Sequence, residues 1–235
     1  MIILLRGVVC FLLLPLTVVL VQGTPASAEV SRTLVVNGLG TALYPSYDAQ
    51  VTRYGITTDS TSVGSVEIVA TTTDPTGQVL INGQPHSGST RVSGLSAGDE
   101  ISVIFDDALG RSVHSLIYLP QDFPKLKATN YDGGLTPQAV AVTPTRFKAD
   151  KPAFEAVLNR DGVPFWVDAD HRGMDLKQQL GRWTVSRGFS GLVNLGAQME
   201  PEKSFKTTPY PTDGHDSVLL PNGNAVLMSY ATDPA

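Results

Sequence analysis

What most limits the fold is how quickly every apolar segment is interrupted. Between residues 33 and 119 the chain breaks into short stretches at 33–36, 51–57, 65–72, 78–81, 89–92, 100–105 and 112–119. Val66, Ile68 and Ala70 alternate with Glu67 and Val69, and Ile101, Val103 and Phe105 alternate with Ser102 and Ile104. A period of two sets one face of a strand against a core and turns the other outward. Asn82-Gly83 and Ala108-Leu109-Gly110 mark turns between them. With 22 Gly, 16 Pro and threonine dense through residues 52–76, helices are disfavoured and an all-β protein is expected. The strand spacing is that of a β-sandwich.

Residues 1–28 are set apart from this pattern. Arg6 is followed by an almost wholly apolar stretch from 7 to 21, and Ala26-Ser27-Ala28 fits the small-x-small rule for cleavage of a signal peptide. The expectation is an exported chain (secreted, periplasmic or cell-surface) cleaved near Ala28, with membrane attachment only through an uncleaved leader. The single cysteine, Cys10, lies in that leader. The mature chain is therefore expected to lack disulfides and thiol chemistry, and to rest on an ordinary hydrophobic core. The net charge is -5, and no two Lys or Arg residues are adjacent, which argues against a nucleic-acid partner.

Leu119-Pro120-Gln121-Asp122-Phe123-Pro124 opens an expected linker over 124–134, since each proline removes an amide donor and disfavours helix. Beyond it, segments 154–158 and 164–169 flank Asn159-Arg160-Asp161-Gly162, a hairpin signal because glycine accepts the positive φ of a tight turn. Further strands are expected at 181–186 and 192–195. A last hairpin is expected at 217–220 and 225–230 around Pro221-Asn222-Gly223-Asn224. Repeated four-strand meanders are the texture of a β-propeller, and residues 135–235 supply one blade and the start of a second.

Two resemblances give this organisation a name. Leu43-Tyr44-Pro45-Ser46-Tyr47-Asp48 and Val51-Thr52-Arg53-Tyr54, followed by Val79-Leu80-Ile81-Asn82-Gly83 and Ala97-Gly98-Asp99-Glu100-Ile101, resemble the signatures of bacterial cadherin-like β-sandwich domains, placing one at 29–123. Gly214-His215-Asp216, running through Leu220-Pro221-Asn222-Gly223-Asn224 to Tyr230, resembles the HD-x-x-x-LPNGN signature of the arylsulfotransferase family. Ala156 to Trp166 is similar to that family's first hairpin. The resemblance implies the N-terminal part of an exported enzyme that moves a sulfuryl group from an aryl sulfate to a phenolic acceptor. Transfer would pass through a sulfated histidine, with no cofactor and no metal. Neutral imidazole suits such a step as nucleophile and leaving group, and cationic donors stabilise the charge that gathers on sulfuryl and phenolate oxygens.

Only His215 falls on the family's His-Asp motif. At the start of an inner strand its ring would enter the central channel and donate a hydrogen bond to sulfuryl or phenolate oxygen. The nucleophilic histidine is expected in a later blade, beyond residue 235, so the chain is expected to be a fragment or inactive. The competing reading makes His215 a turn residue bonded to Asp216 or a backbone carbonyl, with Asp216 as orienting or capping group. Arg182 and Arg187 are read as surface residues before anion donors, and Trp166 and Trp183 as core. His171, in Asp168-Ala169-Asp170-His171, lacks a second His or Cys at ligand spacing. Asp106-Asp107 lacks the Asp-x-Asn-Asp run of a cadherin-like calcium site. His86 and His114 are read as structural or exposed. The functional alternative is a non-catalytic binding or adhesion module. Oligomeric state is open.

Overall fold

The computed structural model describes residues 29–126, 139–144, 153–169 and 173–231. The expected leader, Cys10, most of the expected linker, and Asp170 and His171 lie outside these residues. The first nine strands are β1 (Arg32–Asn37), β2 (Ala42–Tyr44), β3 (Arg53–Thr58), β4 (Ser65–Thr72), β5 (Gln78–Ile81), β6 (Gln84–His86), β7 (Ser89–Ser93), β8 (Glu100–Asp107) and β9 (Gly110–Gln121). Next come β10 (Val140–Val142), β11 (Glu155–Leu158), β12 (Pro164–Asp168), β13 (Met174–Gln179) and β14 (Arg182–Ser186). The series ends with β15 (Leu192–Leu195), β16 (Pro201–Phe205), β17 (Thr212–Leu219) and β18 (Ala225–Ser229). A single 3-10 turn, Gly188–Ser190, is the one helical element among the described residues. The protein is all-β, in several sheets of which none is closed.

Strands β1-β4-β7 form one sheet and β2-β3-β9-β8-β5-β6 a second, in which β3 and β9 run parallel. The two share a core. Leu34 and Val36 of β1 and Val66, Ile68 and Ala70 of β4 meet Tyr54 and Ile56 of β3, Ile101, Val103 and Phe105 of β8, and Leu116 and Tyr118 of β9. These are the alternating positions that the period-two pattern selects, and each large apolar side chain buried this way contributes about 1.5–3 kcal/mol.

Two polar side chains of that core, Tyr54 and His114, are matched. Tyr54 donates its hydroxyl to the carbonyl of Asp48 at 2.5 Å. Burial pushes that hydroxyl up to about 12. His114 is fully buried, against the rings of Tyr47, Tyr54 and Phe105. Its Nδ1 lies 2.8 Å from the carbonyl of Val51, its Nε2 lies 3.0 Å from the Ser112 hydroxyl, and Arg32 Nη1 donates to that hydroxyl at 2.9 Å. One proton order satisfies the chain: guanidinium to hydroxyl, hydroxyl to Nε2, Nδ1–H to carbonyl. His114 is a neutral structural histidine.

Strand β9 serves two cores. Leu116 and Tyr118 face the first, while Ile117 and Leu119 join Phe123, Phe154, Ala156, Leu158 and Val163 in another. A strand apolar on both faces reads as a continuous run, and Leu116-Ile117-Tyr118-Leu119 is one. Arg53 ties the same junction, donating Nε to the Pro164 carbonyl at 2.6 Å with its guanidinium carbon 5.3 Å from the centre of the Phe165 ring.

The second half forms three sheets: β10-β11-β12, β13-β14-β15-β16 and β17-β18. The expected hairpin at 154–158 and 164–169 is present. Gly162 has φ +78, and the Asn159 side chain accepts from the amides of Asp161 and Val163 at 2.9 Å each. That hairpin does not join the strands at 181–186 and 192–195, as the meander pattern suggested. The four-stranded meander is completed instead by β13 and β16.

Candidate functional site

Strand β17 carries the site. It starts at Thr212, earlier than expected, and pairs Asp213 with Met228 and then Ser217 with Leu227. Gly214, His215 and Asp216 are extra residues in a bulge, a device that re-aims side chains. Glycine is needed at its base: a Cβ on Gly214 would lie 2.8 Å from the Gly188 Cα and 3.1 Å from its nitrogen.

The bulge holds His215 through Asp213. One oxygen of that buried carboxylate, Oδ1, accepts the His215 backbone N–H at 3.0 Å and also takes the ring Nδ1. The His215 ring holds the Asp213 carboxyl below the usual carboxylate range, with the backbone N–H adding to the effect. The His215 side chain is 70% exposed. Among the described residues Nε2 has no hydrogen-bond partner, so the ring offers that nitrogen to solvent.

Asp216, read as an orienting or capping residue, does not bond the ring. It pairs with Lys177 at 2.9 Å and accepts the Ser217 amide at 2.8 Å. Lys177 also reaches Asp175 at 2.5 Å. The orienting residue is Asp213, two positions before the histidine. Its signal in the sequence was the Asp-x-His spacing, where a carboxylate can cap the amide two residues on.

The bulged strand is docked by Gln179 of β13. Its side chain accepts from the Leu219 amide at 3.0 Å and donates to the Ser217 carbonyl at 3.4 Å.

Arg182 is a surface residue, 61% exposed and 4.0 Å from Glu202. Arg187, which also read as a surface residue, is not. Its Nε and Nη2 reach the two oxygens of fully buried Glu155 at 3.1 and 2.9 Å, and Nη2 reaches Asp168 at 3.1 Å. Its charge is committed to carboxylates. Trp166 and Trp183 pack against the apolar cluster of Val157, Leu176, Val185, Val193 and Leu195. Asp107, weighed above as a calcium ligand, accepts from Arg32 at 2.9 and 2.5 Å and from Thr72 at 2.7 Å.

The other described histidines, His86 and His114, lie on β6 and β9, away from the bulge in the chain's sheet order. A cleft of about 580 Å³ is lined by residues that include Tyr44, Pro45, Asp48, Lys125, Arg160 and Asp161, and His215 is not among them. The site is thus one oriented, outward imidazole in an open bulge. No family model, curated protein or solved structure matches the chain.

Proposed function

We propose that this chain is the N-terminal portion of an exported arylsulfotransferase-like protein, a cadherin-like β-sandwich followed by the first strands of a β-propeller. In this reading His215 is a supporting group. As imidazolium its Nε2–H donates to a sulfuryl or phenolate oxygen, while the Asp213 carboxylate fixes the ring and balances its charge. A buried carboxylate on Nδ1 is how proteins set the orientation of a working imidazole. The observation that carries the reading is this pairing of a buried Asp213 with a solvent-facing His215 on a bulge.

In this reading the 235-residue chain supplies only the supporting group, and turnover is not expected of it alone. Turnover is assigned to the protein in its native form. Isolated from its source, that form should release phenolate from 4-nitrophenyl sulfate faster when a phenol acceptor is present, with ping-pong kinetics. His215→Ala should lower turnover by a factor on the order of 10² to 10³, the usual loss for one preorganised oxyanion donor.

A second reading, a non-catalytic binding or adhesion module, is favoured by the exposed side chains of Phe189 and Tyr230, 82% and 72% accessible, on elements beside the bulge. Absence of turnover in the native form would select it.

A further inference from the structure

The sheet β13-β14-β15-β16 buries an apolar cluster on one face, where Leu176, Val185, Val193 and Leu195 pack together. The other face carries Thr184 of β14 directly opposite Asn194 of β15, with Ser186 two residues further along β14. The hairpin β17-β18 covers it. Gln179, which bonds the backbone of Ser217 and Leu219, also donates to the Thr184 hydroxyl at 2.9 Å. Lys203 of β16, opposite Asn194 on the other side, donates to the Gly223 carbonyl in the hairpin turn at 3.2 Å. Gly214 lies over Ser186, whose Oγ would stand 3.2 Å from a Cβ there.

The seam between sheet and hairpin is therefore polar, and it is closed to solvent. Thr184, Ser186, Asn194, Thr212, Asp213 and Ser217 are all buried. Three oxygens of this seam, Asp213 Oδ2, Asn194 Oδ1 and Ser217 Oγ, have no hydrogen-bond partner among the described residues. Tyr230 is drawn to the same carboxylate, which pushes its phenol up, without closing a bond to Oδ2. Folded proteins pair nearly all such atoms, because a buried polar group without a partner is costly.

We propose that ordered water fills this seam and completes the hydrogen bonding of Asp213, Asn194 and Ser217. The chemistry of the three oxygens suits it. A buried water makes about three hydrogen bonds to groups of this kind. Asp213 Oδ2 and Asn194 Oδ1 only accept, while the Ser217 hydroxyl can donate, and a water has two protons to give and a lone pair to receive. A metal ion is the poorer occupant. Asp213 would be its one carboxylate and is already shared with His215, while Asp175 and Asp216 are held by Lys177. Sites for calcium-like ions gather several charged oxygens. Since Asp213 Oδ1 holds the His215 ring, water on Oδ2 fixes the far side of the carboxylate that fixes the imidazole. The inference does not depend on the sulfuryl-transfer reading, because it concerns the protein with no aryl sulfate present.

The test is a high-resolution crystal structure of the full chain, joined to urea unfolding. Water at about 2.7–3.2 Å from the three oxygens is expected. Ser217→Ala keeps the carbonyl that Gln179 bonds and removes only the hydroxyl. It should lower the urea midpoint, because the water loses a partner, whereas in a dry seam the removal of an orphaned hydroxyl would raise it. A chelator should leave the wild-type midpoint unchanged. Three results would overturn the proposal: the three side chains bonded directly to protein groups with no water between them, a midpoint raised by Ser217→Ala, or a wild-type midpoint that falls with chelator, which would give the seam to a metal ion.

Discussion

Arg187 grips Glu155 through both nitrogens it turns toward it, Nε to Oε1 at 3.1 Å and Nη2 to Oε2 at 2.9 Å, and the same Nη2 bridges to Asp168 at 3.1 Å. Glu155 belongs to β11 and Arg187 follows β14, so the clamp joins two sheets. Its side chains are 0% and 10% exposed. A buried charge stripped of its partner is costly.

Arg187→Met should therefore lower stability to urea by about 3–5 kcal/mol, the usual loss when one partner of a buried pair is removed. Arg182→Met, on the surface, should change it by under about 0.5 kcal/mol. Equal effects of the two would show that the clamp is not holding the sheets.

Sequence reasoning places a boundary near residue 123, with a sandwich at 29–123. One apolar cluster spans that boundary. Ile117, Leu119 and Phe123 pack against Phe154, Ala156 and Leu158, and would face water in the isolated segment. A chain of residues 29–126 should be less stable than the same strands within the whole protein. Leu119→Ala should cost about 2–5 kcal/mol in the whole protein, as buried leucine truncations do, and much less in the isolated segment. Urea midpoints of the four proteins decide this.

Two buried groups set the acid response. Asp107 is held well below the usual carboxylate range, first by hydrogen bonding from Arg32. Its contribution is complete above the unfolded value of about 3.9 and is lost as pH falls through and below it. His114 is lowered from its ordinary value, chiefly by burial. The unfolded chain then binds the extra proton first, so stability begins to fall as pH drops below about 6.5. Urea midpoints should decline in both windows. His114→Phe should flatten the upper window alone, and Asp107→Asn the lower alone. A wild-type profile flat from pH 7 to pH 5 would contradict the neutral His114.

Much of this was legible. The seven stretches of the first half became strands because alternation there coincides with burial, as in β4 and β8, whose residues alternate between buried and more exposed. The second half was read less well, for physical reasons. Strand β16 is Pro-Glu-Lys-Ser-Phe, a charged edge with almost no buried face, so no hydrophobic period announces it. Strand β13 carries Asp175 at φ +53 and a register break, which erase its alternation. Arg187 looked like any surface arginine, because its carboxylate partners lie 32 and 19 residues away. His215 was read as the candidate on the His-Asp motif, with Asp216 as an orienting or capping residue. Only the bulge reveals that Asp213 reaches the ring.

The bulge itself can be tested without ligand. Gly214→Ala places a methyl group within 2.8 Å of the Gly188 backbone, which cannot yield as a flexible side chain would. A loss of about 1–3 kcal/mol is expected, the range for overpacking. The ring resonances of His215 should shift with it, while those of His114 stay in place. Unchanged stability would mean that Gly188 and Gly214 are not in contact.

The most direct measurement on the candidate site is a nuclear magnetic resonance titration of the His215 ring nitrogens with 4-nitrophenyl sulfate, in the wild-type chain and in Asp213→Asn. In the wild type, Nδ1 should carry the proton held by Asp213, and Nε2 should take up a proton as aryl sulfate binds, its resonance moving saturably toward the imidazolium position. In Asp213→Asn the tautomer preference should be lost and the response to aryl sulfate strongly weakened, with the fold intact. An Nε2 resonance that aryl sulfate leaves unmoved, or one that moves equally in both proteins, would contradict the account of His215 as an Asp213-oriented anion donor.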